Sequence, residues 1–280
     1  MYCTSQQDKF VVECDEPIPT KRARVDDNDK IINQFLKLEE RLNLLYNSRY
    51  EASDSILDML SRPCVLDELD QCRVGESCGK LEVAEALNRG VAMVIEYAKS
   101  FDVFRRMPLT DKITLLRDVT LILELLESAY KALNDDDSLI NQDFSSNDGK
   151  RKEVMEHFEE GKNSEEAVVL LVLESLSRAE LDRTEFVLFK AIVFLRSECF
   201  NLSNQSCTSL FKKRQEMLDV LFEYMLNTHG KQGPVKYGNV LSILWTLFTI
   251  SQSYRGAILK FDLKPLCKEI LSSKMPEALA

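Results

Sequence analysis

A chain of 280 residues with 45% apolar side chains is long enough to bury one sizeable core with appendages. Its formal net charge of -10 excludes a general nucleic-acid surface, which needs a basic stripe facing the phosphates. Nine glycines and seven prolines are few for a strand-rich fold, and Leu, Glu, Lys and Asp are abundant, so composition points to an all-α protein.

Residues 1–27 are polar and aperiodic, carry Pro17 and Pro19, and read as a flexible segment. Lys21, Arg22 and Arg24 form the dense basic cluster of this acidic chain. Clustered charge on an accessible, extended backbone is what import receptors read, so these residues are similar to a nuclear import signal; the other reading is an ordinary solvated charge run. The preferred reading places the protein in the nucleus, with a cytoplasmic pool allowed. The first residues lack a basic segment followed by an apolar one, so secretion is not expected. The longest apolar run, near Val240 to Ile250, is far short of the roughly 20 residues a membrane span needs. Ile31, Phe35, Leu38, Leu42 and Leu45 then step by four and three, which predicts an amphipathic helix within a hinge-like extension, 28–60, docked on the main domain at 61–280. Residues 61–79 read as a loop.

From Lys80 the helical signal is nearly continuous. Leu81, Ala84, Leu87, Val91, Val94, Ile95 and Ala98 trace one face. Pro108 breaks the chain, and Thr110 or Asp111 is placed to cap a helix running from about Lys112 to Leu133. That helix is apolar almost all round, which predicts a buried middle layer. Residues 134–163 read as an exposed insertion. Ser164, Glu165 and Glu166 open the next helix, and others are predicted over 182–196, 204–228 and 235–258, with Gly230 ending the second of these three. No β-type alternation persists, and no solenoid repeat is present.

Candidate chemistry is sparse. The eight cysteines form no C-x-x-C pair, and His157 and His229 complete no zinc pattern, so no metal or cofactor is expected. Gly75-Glu76-Ser77-Cys78-Gly79 matches G-x-S-x-G, but that motif works only on the strand-to-helix turn of a parallel sheet, and none is predicted. It reads as a loop, and the chain as a non-enzyme. Glu124 stands out, flanked by Leu123, Leu125 and Leu126 in the most apolar helix. It is either a core charge with a local basic partner or a polar anchor inside a ligand pocket.

The segment from Tyr97-Ala98-Lys99 through Phe104, Met107, Asp111, Leu115 and Leu116 resembles, without gaps, the signature of nuclear hormone receptor ligand-binding domains, with Lys112 in place of the usual Gln. Leu181 to Phe194 looks like the family's eighth helix, and Tyr237 to Leu244 like its tenth. Leu266-Cys267-Lys268-Glu269-Ile270-Leu271 is similar to its activation helix. The resemblance covers residues 80 to about 272. Thr120 stands where most members have Trp, only Lys260 to Lys264 link the tenth-helix region to the activation helix, and no zinc-finger cysteines precede the domain. The chain thus looks like a divergent orphan receptor without the DNA-binding domain.

What the resemblance implies is specific. The fold would be a three-layer antiparallel helical sandwich. Lys99 and Glu269 would clamp the two ends of a short Leu-x-x-Leu-Leu helix of a coregulator protein, assisted by Arg117, over an apolar floor of Ile113, Leu116, Leu266 and Ile270. A small lipophilic ligand would be lined by Leu87, Val91, Ile95, Leu121, Glu124, Leu125 and Ser128. The helix at 235–258 would carry a homo- or heterodimer, and DNA would be reached only through that partner. The competing reading is a ligand-independent helical protein-interaction adaptor, its interior filled by side chains.

Overall fold

Within residues 21–68, 83–134, 165–259 and 262–272, which the computed structural model describes, every regular element is a helix. In chain order they are α1 (Lys21–Tyr46), α2 (Ile56–Ser61), α3 (Val65–Glu68), α4 (Val83–Lys99), α5 (Asp102–Arg105), α6 (Leu109–Asn134), α7 (Glu165–Ala179), α8 (Arg183–Phe194), α9 (Asn204–His229), a 3-10 turn (Gly230–Gln232), α10 (Gly233–Ile258) and α11 (Pro265–Leu271). The G-x-S-x-G segment and the insertion after Asn134 lie outside the described residues.

Helices α1 and α4 form one outer layer, α6 and α8 the middle, and α7 and α10 the other outer layer, with α9 bridging α8 to α10. This is the all-α, three-layer helical sandwich expected. The middle position of α6 follows from its sequence. Ile113, Leu115, Leu116, Val119, Leu121, Ile122, Leu123, Leu125 and Leu126 point to every side of the helix, and all are buried. A helix with no polar face must be covered on all sides. The other middle helix, α8, is buried continuously from Glu185 to Phe194.

Helix ends are set by local chemistry. A reciprocal capping box opens α8, with Glu185 N donating to Asp182 and Asp182 N donating to Glu185. Gly230, at φ +55°, ends α9 in a conformation that a side chain would strain. At α6 the cap differs from expectation. The helix starts at Leu109, directly after Pro108, so Asp111 already lies in the first turn. Its buried carboxylate instead accepts from the Ser203 and Ser206 hydroxyls (2.5 and 2.6 Å), tying the start of α6 to the start of α9. The predicted segment 182–196 also stops short, at Phe194.

Helix α1 begins at Lys21, so the end of the stretch read as flexible is helical. Phe35, Leu42 and Leu45 are buried in the same core as α4 and α8, the docking that their spacing predicts. A buried charge fixes this contact. Lys190 Nζ on α8 lies 2.9 Å from Glu39 of α1 and 2.6 Å from Glu127 of α6, beneath the Tyr97 ring of α4. Breaking a buried pair by removing one partner leaves an uncompensated charge. Lys190→Ala should therefore lower stability by about 3–5 kcal/mol in chemical denaturation, the usual cost of such a loss.

Candidate functional site

The two residues of the implied clamp lie on different helices and converge on a third, α2. The Glu269 carboxylate, on α11, accepts the Ile56 N–H at 2.8 Å. The Lys99 ammonium, at the end of α4, donates to the Met59 carbonyl oxygen at 3.1 Å. Helix α2 lacks a cap of its own, since the Ser55 side chain makes no capping bond. A short helix leaves N–H groups open at its start and carbonyls open at its end. Here a carboxylate meets the first and an ammonium the second, the arrangement that the helix dipole favours.

Between those ends α2 reads Ile56-Leu57-Asp58-Met59-Leu60. Ile56 and Met59 are completely buried, Leu57 and Leu60 pack partly against the core, and Asp58 pairs outward with Arg62. Lys99 is itself buried and ion-paired at 2.8 Å with Glu96, one turn back. Glu96 also accepts from the Tyr50 hydroxyl (3.3 Å) and from Val65 N (2.9 Å). The segments before and after α2 are thus pinned to α4 by one carboxylate. Truncating Lys99 would strand Glu96 in the interior, so it would perturb the fold as well as the clamp.

On the other side, Pro265 stands at the start of α11, where its missing N–H costs nothing. Leu266, Cys267, Ile270 and Leu271 are buried, and Cys267, held beside Asn88, has its thiol pushed up to about 12 by burial. The last carbonyls of α11 are met by cations. Arg117 donates to Glu269 O at 3.3 Å, and Arg255 donates to Leu271 O at 3.1 Å. Arg117 therefore supports the backbone of the clamp helix rather than lying beside Lys99. Ile113, Leu116, Leu266 and Ile270, the implied floor, are all completely buried.

Of the implied ligand-lining residues, Val91, Ile95, Leu121 and Leu125 are buried in the packed core, Leu87 is partly buried, and Ser128 is exposed. A cavity of about 40 Å³ lies beside Glu124 and Ser128, with Tyr97, Leu123, Glu127, Lys131 and Lys190 among its walls. Gly90 makes room for the Glu124 carboxylate, because a Cβ there would sit 2.1 Å from an oxygen. The Ser128 hydroxyl donates a long hydrogen bond, 3.5 Å, to that carboxylate. Elsewhere, Val235 and Trp245 of α10 face outward, Trp245 with 78% of its surface exposed, whereas Val240, Ile243 and Leu247 point into the core. Thr120 is buried in the middle layer. Asp182, Glu185 and His229 bring three potential ligand atoms together, yet the first two are the α8 capping box and Lys236 Nζ already lies 2.7 Å from Glu185. The cluster is a polar lock between α8, α9 and α10.

A family model described as the ligand-binding domain of nuclear hormone receptor matches residues 71–260. This chain belongs to that family. It is 23% identical over 245 residues to nuclear hormone receptor family member nhr-40 of Caenorhabditis elegans, covering 78% of this chain and 54% of that protein. It is 25% identical to family member nhr-10 of the same organism over 273 residues, 91% of this chain and 68% of that protein. Family member nhr-153, also from C. elegans, is 28% identical over 152 residues, 53% of this chain and 36% of the relative. The chain thus spans about half the length of the first of these relatives and about two thirds of the second.

The seat of α2 escaped sequence reading. Residues 61–79 read as a loop, yet α2 ends and α3 begins inside or beside that stretch. A signal was present. Ile56, Met59 and Leu60 have the apolar spacing of the Leu-x-x-Leu-Leu helix that the resemblance assigns to a partner. No helix among the described residues is long and apolar enough to cross a membrane.

Glu124 gives this ligand-binding domain a pH response. Burial raises its pKa from 4.5 to about 7, so between those values the folded state binds more proton than the unfolded state. Stability then falls as pH rises from about 4.5 to 7 and is level above that. Glu124→Gln should remove this decline, and urea denaturation at pH 5 and pH 8 should differ between wild type and variant by about 1–3 kcal/mol.

Proposed function

We propose that this domain regulates transcription by accepting a short amphipathic coregulator helix at the Lys99–Glu269 clamp. The observation that carries the reading is the convergence of these two side chains, 170 positions apart, on opposite ends of one short apolar helix. A carboxylate at one end and an ammonium at the other fix a guest helix's direction, and the buried floor takes its apolar face. This is binding work, and no catalytic step is assigned. The net charge of -10 disfavours a DNA-contacting surface on this domain, and the outward Trp245 face of α10 is suited to a dimer partner through which DNA would be reached. Titrating the methyl-labelled chain to millimolar levels of Leu-x-x-Leu-Leu peptides should give saturable shifts at Ile113, Leu116, Leu266 and Ile270. Saturable shifts confined to another surface overturn the reading. So does the absence of shifts with every peptide, in this chain and in Ile56→Asp alike.

A second reading is favoured by the packing of the interior. Small-molecule pockets run to about 300–1,000 Å³, whereas the cavity at Glu124 is about 40 Å³, room for bound water rather than a lipid. The domain then works as a ligand-independent adaptor, and a small lipophilic ligand would have to open the core around Val91, Ile95, Leu121 and Leu125. Native mass spectrometry of the purified protein separates the two, since a stoichiometric small molecule sinks the adaptor reading.

Nuclear residence fits the family, and the Lys21, Arg22 and Arg24 cluster is the candidate signal, although it lies on the first turn of α1 and not on the extended backbone expected from the sequence. Replacing all three by alanine should move a fluorescent fusion toward the cytoplasm. Unchanged nuclear accumulation removes the cluster as import signal.

A further inference from the structure

The coregulator seat already has an occupant. We infer that α2 is a built-in competitor for the clamp, so that an external helix binds only when residues 55–62 leave. The inference rests on the clamp reading above and adds its regulation. A helix of six residues has no stability of its own in water, because nucleation costs more than so few bonds return. What holds α2 helical is the groove. Its first N–H is met by Glu269, its Met59 carbonyl by Lys99, and its Ile56 and Met59 side chains are wholly covered. These are the contacts a guest of the same apolar spacing would need, at the same atoms. Both cannot be present at once.

The segment is also tethered on both sides, which raises its local concentration far above that of a free partner. Arg89 holds the turn after α1 through the Tyr46 and Ser48 carbonyls, at 2.9 and 2.6 Å. Beyond α2, Glu96 binds Val65 N, and Arg105 pairs with Asp67 at 2.6 Å. The connection from α1 therefore returns α2 to the groove after each release. An external helix pays for that closed population as a weakened apparent affinity.

Affinity for a labelled Leu-x-x-Leu-Leu peptide, with the groove methyls as reporters, should rise about tenfold or more in Ile56→Asp and in Met59→Asp, because each unseats α2 without touching Lys99 or Glu269. Equal affinity in wild type and variants, with groove methyls shifting, leaves the clamp standing and overturns the competitor. No peptide binding in any of them overturns the clamp and the competitor with it. Should the variants fail to fold, hydrogen exchange on the wild type decides. Saturating peptide should increase exchange at the amides of residues 56–62, and unchanged protection there with the groove occupied overturns the inference.

Discussion

The ammonium of Lys190 sits out of water between two carboxylates from other helices, and the positions of α1, α6 and α8 answer to it. Removing an ammonium from water costs several kcal/mol, and a buried cation is tolerated only where opposite charge and good geometry offset that cost. Glu39 and Glu127 supply the charge, and the Tyr97 ring turns its electron-rich face toward the same ammonium. Apolar packing alone would allow α1 to slide or rotate over α8. An ion pair desolvated on all sides allows one register. With α1 held there, its exit at Tyr46 and Ser48 falls under Arg89, and the chain is delivered across the end of α4.

The same physics recurs where the chain arrives. Glu96 and Lys99 form a second buried pair, but here the surplus hydrogen-bonding capacity is turned toward backbone groups of residues 59 and 65. Glu269 completes the arrangement from the opposite side, on a helix whose own carbonyls are held by Arg117 and Arg255. Around α2 the charged groups finish helix ends, and the apolar core supplies the cohesion between them. Asp111 follows that pattern too, since its carboxylate completes the start of α9.

What could be read in the sequence was what depends on neighbours in the chain. The apolar circumference of α6, the Asp182 start of α8 and the Gly230 stop of α9 are local signals, and each is present in the structure. The family signature brought Lys99 and Glu269 together, which no periodicity could do. Helix α2 was missed because its stability is not local: six residues carry no measurable period, and their end groups are met by side chains 40 and 213 positions away. Glu39 and Lys190 were missed for a related reason. A charge in a helical pattern reads as a solvated face, and burial of a pair depends on a partner 151 residues distant. Glu124 was noticed because three leucines surround it, but its neighbours, Gly90 and the small cavity, belong to tertiary packing.

The separation of 213 residues between Ile56 and Glu269 also orders events during synthesis. At ribosomal speeds of about 5–20 residues per second, Glu269 is added roughly 10–40 s after Ile56. Closing so long a loop also has an entropic cost that only the finished contacts offset. Throughout that interval the segment around Ile56 and Met59 is an emerging apolar stretch whose seat does not yet exist. On the nascent chain it stays an apolar stretch without its partner groups, and its last contact can form only after most of the domain has been made.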